Sequence, residues 1–108
     1  MLNLDLLKGT LSLLLLKSLA HHQRHGYEIL KWIRRSSDET FLIEEGAIYP
    51  ALHRLEARGL LEAEWGVTDS NRRAKYYSLT AKGKARLRQE EDAWQRYVVA
   101  FNRILAAA

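Results

Sequence analysis

Residues 44–60 read Glu-Glu-Gly-Ala-Ile-Tyr-Pro-Ala-Leu-His-Arg-Leu-Glu-Ala-Arg-Gly-Leu, and the fold turns on whether this stretch is a helix. Ile48, Leu52 and Leu55 recur at steps of four and three, which puts them on one face of an α-helix. Tyr49, His53 and Arg54 then occupy the rest of the circumference. Gly59 after Arg58 supplies a C-terminal stop, and Glu44 and Glu45 suit the positive end of a helix dipole. Pro50 belongs in a first turn, so the helix either opens near Ala47 with some strain or begins at Pro50 itself. The product is a short helix with an apolar seam and a polar, aromatic and basic outer face. A DNA-recognition helix has that form, and so does an ordinary surface helix.

The chain around it has 108 residues, 47% hydrophobic and 28% charged, which suits one small folded domain and argues against disorder. It contains no cysteine, which excludes disulfides and cysteine-ligated metals and fits a reducing, cytoplasmic setting. No basic leader precedes the first apolar run, and Leu11–Leu16 is too short to cross a bilayer, so a soluble protein is expected. Net charge is +4, and its distribution says more than its size. Residues 38–45 are acidic. From Arg54 to Arg88 basic residues dominate, directly after the candidate recognition helix.

Residues 4–20 predict a first helix whose leucines cover more than one side, Leu7 and Leu14 among them. A helix apolar on several sides must be buried on several sides, and a chain this short has few elements to cover it. His21, His22 and His25 form a polar break; His21 and His25 have the spacing of a helical ligand pair but no carboxylate or cysteine completes a metal set. Tyr27–Ser37 reads as a second helix and Thr40–Ile43 as an extended connector or a small strand. After the helix of residues 47–58, Leu61, Ala63 and Trp65 alternate with Glu62 and Glu64, and Lys75, Tyr77 and Leu79 alternate with Tyr76 and Ser78. Two half-buried strands follow from that pattern, joined by a turn-rich tip ending in Arg72 and Arg73. Thr80 can cap a last helix running to about Ala107, in which Leu87, Trp94 and Phe101 are seven apart, as are Val98 and Leu105. A helix of about 27 residues is about 40 Å long, more than this domain can cover. Both ends of the chain therefore point to a homodimer, with Leu7, Leu14, Leu87, Trp94, Val98, Phe101 and Leu105 at its interface.

The expected fold is mainly α (α+β): a winged helix-turn-helix with a two-stranded wing over residues 1–80 and a long C-terminal dimerisation helix over 81–108. In that arrangement the third helix enters the major groove and the hairpin meets phosphate or the minor groove. The chain also resembles the PadR family of bacterial transcriptional regulators, in its short subgroup with a single C-terminal helix. The resemblance is carried by Asp5–Leu11, His25-Gly26-Tyr27, Gly46–Glu56, Ala63–Gly66 and Asn71–Thr80, in order along nearly the whole chain. It implies a DNA-binding regulator that contacts its duplex through Tyr49, His53 and Arg54 on the helix and Arg72, Arg73 and Lys75 on the wing. One position departs: family members usually carry serine or threonine where this chain has Ala47, whose methyl can meet a thymine methyl but donates no hydrogen bond. The resemblance further implies dimerisation through the first and last helices. It also implies an inter-subunit pocket for a planar hydrophobic effector beside Trp94 and Val98.

The function so expected is a homodimeric repressor on a pseudo-palindromic double-stranded operator, released by a small hydrophobic molecule. The alternative is a winged-helix protein-interaction module, because fold does not fix function. An enzyme is not expected: the chain has no glycine-rich phosphate loop, no metal-ligand set and no paired nucleophile and base, and no cofactor is implied.

Overall fold

The structure is a computed structural model and describes residues 9–107. Its elements follow in the order α1 (Leu11–Ser18), β1 (Arg24–His25), α2 (Gly26–Ser36), α3 (Glu45–Ala57), β2 (Leu61–Val67), β3 (Arg73–Leu79) and α4 (Ala81–Ala106). Leu7, and the part of the expected first helix before residue 9, lie outside the described residues. Leu14 is half-buried and packs against the core, while Leu15, Leu16 and Leu19 lie within it. The second apolar side of α1 is covered in part by the chain's own α4, which runs alongside it and joins it through a Lys17–Glu91 ion pair at 3.1 Å.

The sheet has three strands, in the order β1-β3-β2, where the sequence pattern predicts two. Arg24 and His25 pair with Tyr77 and Tyr76. Two residues are too few to show any alternation, so β1 leaves no periodic signal. His25 then caps α2: its Nδ1 accepts the Glu28 N–H at 3.3 Å, and the Glu28 carboxylate accepts the His25 N–H at 3.1 Å. The reciprocal bonds satisfy donors that a helix start leaves open. Residues 40–43 form no strand and run as a connector that buries Ile43.

α3 starts earlier than expected, with Pro50 inside it. Proline has no N–H for the Gly46 carbonyl, and an interior proline costs about 3 kcal/mol. The inner face offsets that cost: Ile48, Leu52 and Leu55 are buried, each contributing roughly 1.5–3 kcal/mol. The helix ends in a left-handed turn at Gly59 (φ 77°), where the Gly59 N–H donates to the Glu56 carbonyl and the Leu60 N–H to that of Leu55. Both leucines are buried, completing the apolar contact that accompanies this stop.

β2 and β3 pair from Leu61–Leu79 to Val67–Arg73. At the tip the Thr68 N–H donates to the Arg72 carbonyl at 2.8 Å, and Asn71 takes the left-handed conformation (φ 63°) that asparagine tolerates. Thr80 caps α4, as expected, by accepting the Gly83 N–H at 3.0 Å. The same hydroxyl donates to the Gly59 carbonyl at 2.7 Å, and the Lys82 ammonium donates to the Arg58 carbonyl at 3.0 Å. A side chain at Gly83 would collide with the Leu60 carbonyl. The head of α4 is thus clamped directly to the tail of α3.

Leu87 is a correction: expected at a subunit interface, it is buried in the chain's own core. The winged body therefore extends through the first turns of α4, past the expected boundary at residue 80. Beyond them α4 leaves the body, and the molecule measures 57 × 30 × 21 Å.

Candidate nucleic-acid interface

With Ile48, Ala51, Leu52 and Leu55 facing the core, the outer side of α3 carries Glu45, Tyr49, His53 and Arg54, all exposed. Ala47 is half-buried and packs against the core, so its methyl belongs more to the inner seam than to the outer stripe. Tyr49 leans on the first turn of α2, and a Cβ at Gly26 would stand 2.5 Å from its Cε1. A side chain at Gly26 would displace the Tyr49 ring from this position, which gives the middle residue of His25-Gly26-Tyr27 a packing role. Partial burial and the nearby Glu45 carboxylate push the Tyr49 phenol above its ordinary value, so its hydroxyl stays a neutral donor and acceptor.

The wing supplies the positive charge. Arg72 and Arg73 are exposed at the tip, and the Arg73 guanidinium lies over the Trp65 ring, 4.8 Å from its centroid. Trp65 itself is 62% exposed, although the alternation of β2 predicts a half-buried residue. It shares a sheet face with Leu61 and Ala63, but at its level the body beneath has ended.

Lys75 is engaged elsewhere. Its ammonium meets the Glu56 carboxylate at 2.9 Å, and that hydrogen bond raises the lysine above its ordinary value. The pair ties the wing to α3, so any phosphate contact by Lys75 competes with Glu56. Sequence proximity suggests Glu56 as a partner for Arg54; in the structure Lys75 takes it. Glu56 lies 19 residues from Lys75 along the chain. No local spacing announces the pair.

Past Leu87, the expected interface residues Trp94, Phe101 and Leu105 of α4 are exposed. Trp94 and Tyr97 stack with centroids 5.7 Å apart, and Tyr97 and Phe101 repeat the arrangement at 5.7 Å. Leu105 continues the exposed side, while Val98 is half-buried. A groove of about 520 Å³ lies elsewhere, between α2 and the head of α3, lined by Tyr27, Leu30, Lys31, Leu42 and Glu45 among others. It includes neither Trp94 nor Val98.

Comparison with known proteins agrees with this architecture. The profile of the Transcriptional regulator PadR-like family matches residues 15–89. A transcriptional regulator of Mycobacterium tuberculosis is 33% identical over 86 residues, covering 80% of this chain and 77% of its own. The crystal structure of a PadR family transcriptional regulator from Eggerthella lenta superposes with a TM-score of 0.81 at 33% identity, covering 97% of this chain and 89% of that one. Bacillus subtilis PadR, solved in complex with operator DNA, is similar in fold, with a TM-score of 0.66 at 24% identity over 73% of this chain and 46% of its own.

Proposed function

The chain belongs to the PadR-like family of transcriptional regulators, and from that premise we propose that it is a sequence-specific, homodimeric, DNA-binding repressor. The observation that carries the reading is the division of α3. Its apolar seam is consumed by the core, and Tyr49, His53 and Arg54 stand outward beside a wing tipped with Arg72 and Arg73. Tyr49 and His53 address base edges in the major groove, Arg54 a flanking phosphate, and the two wing arginines the backbone or minor groove. No helix among the described residues is long and apolar enough to cross a membrane, and the regulator works in the cytoplasm where its operator lies.

The exposed apolar side of α4 supports dimerisation through Trp94, Val98, Phe101 and Leu105, with α1 alongside through Leu14 and, in the same reading, Leu7. Two copies related by a two-fold axis bring two Trp94 rings to one space, where a planar hydrophobic effector can stack. Effector binding there relieves repression by changing how the two α4 helices cross.

Selection of bound duplexes from a random pool tests the reading: an inverted repeat is enriched, and the failure of any sequence to outcompete random DNA overturns it. Arg72→Ala with Arg73→Ala lowers the steepness of affinity against salt by about 0.9 for each phosphate that the wing no longer neutralises. For the effector, planar hydrophobic compounds quench tryptophan emission in the parent protein. Quenching that persists in Trp94→Phe removes the pocket.

A further inference from the structure

The inner face of the β2–β3 hairpin begins as core and ends in the open. Leu61, Tyr77 and Leu79 are buried at its root, Lys75 is tied to Glu56 of α3 at mid-length, and Trp65 and Val67, each 62% exposed, lie toward the tip. Trp65 stands opposite Lys75 and Val67 opposite Arg73 in the register. The two large apolar side chains thus sit on the side of the wing that turns toward the recognition helix, beyond the edge of the body. Arg73 is laid over the Trp65 ring, which reduces the freedom its guanidinium would otherwise lose on binding.

We propose that Trp65 and Arg73 form one reading unit for the minor groove of duplex DNA, with a preference for A·T pairs beside the bases met by α3. The inference rests on the DNA-binding reading above and adds a named pair and a base preference to it. Its chemistry is complementary on both counts. The walls of the minor groove are deoxyribose C–H surface, which takes the indole edge and Val67. Its floor at A·T pairs offers only the N3 and O2 acceptors, while a G·C pair adds an amino donor that blocks a guanidinium. Narrow A·T-rich grooves also concentrate negative potential, which draws in an arginine. The tip residues Thr68–Arg72 carry one acid, Asp69, against Arg72, and Arg73 adds a second positive charge at the start of β3. A polyanion suits that balance better than a second copy of the chain does.

The test uses duplexes with one selected half-site sequence and flanking pairs that are A·T, I·C or G·C. Inosine–cytosine presents the minor groove of A·T and keeps the major-groove oxygen of guanine. The full-length protein binds the A·T and I·C flanks about five- to tenfold more tightly than G·C, within the range of single-pair discrimination. Trp65→Ala and Arg73→Lys compress that ratio below about twofold, while the half-site preference set by α3 persists. Arg73→Lys keeps the charge, so its loss of discrimination separates a positioned guanidinium from a bare cation. Trp65→Phe retains a stacking face and most of the ratio, which guards against a folding artefact of the alanine variant. The proposal is overturned if I·C behaves as G·C, if Trp65→Ala keeps the full ratio, or if it alters dimer mass and not flank preference. Failure of the parent protein to prefer any half-site defeats the DNA-binding reading itself, a result distinct from these.

Discussion

Leu87 and Trp94 sit seven residues apart on one side of α4, in equivalent places of successive heptads, and they meet opposite fates. Leu87 is 7% exposed, packed in the core with Leu15 and Leu79; Trp94 is 41% exposed and, among the described residues, stacks on its own helix neighbour Tyr97. Between them the body ends. Apolar periodicity states which side of a helix must be covered, and it is silent about whether the same chain or another supplies the cover. The near half of α4 is a domain element, and the far half carries an apolar side left open, which the proposed dimer covers.

The near end of α4 is where a substitution has its largest effect. Leu87→Ala removes buried methyl groups and lowers stability by about 2–4 kcal/mol. Urea unfolding should give that loss at every protein concentration, because the contact is internal. At the far end Phe101→Ser leaves the winged body folded and weakens self-association by about tenfold or more, as truncation of a central aromatic at an interface does. Light scattering across a dilution series reads this effect. A concentration-independent stability loss as large as that of Leu87→Ala would make the far half core as well. The smallest effect belongs to the link between α1 and α4: Lys17→Met costs less than about 1 kcal/mol, since the Lys17–Glu91 pair is solvent-exposed. Thermal melts at low and high salt should converge for parent and variant.

The same distinction explains what could be read from the sequence. The seam of α3, the stop at Gly59, the alternation of the hairpin and the Thr80 cap are local patterns over a few residues, and the structure contains them. The outer stripe of Tyr49, His53 and Arg54 follows from the seam by exclusion. The remainder depends on distances along the chain that no short pattern spans. Alternation puts Trp65 on the correct sheet face, but it does not say where the body beneath that face stops. Lys75 reads as one more basic residue in a basic run, whereas Glu56 on the preceding helix claims its charge. β1 is two residues long, and its pairing with β3 is visible only once the chain has returned. His25 stands out in the sequence as one of three close histidines, yet its work is to cap α2 and to stack on Tyr76. Pro50 argues for a late helix start because the cost of an interior proline is local, and the burial that outweighs it is not.

The clamp between α3 and α4 has a consequence for how such a regulator diversifies. Thr80, Lys82 and Gly83 hold the turn that ends α3 closely, which couples the direction of α3 to that of α4. In a dimer built on α4, the crossing of the two long helices then sets the gap between the two reading heads. In the proposed reading the side chains on the outer stripe of α3 choose the letters, and they lie apart from both clamp and crossing. Letters and gap can therefore drift independently: a change at Tyr49 or His53 rewrites the address without moving the heads, and a change at Trp94 or Phe101 moves the heads without rewriting the address.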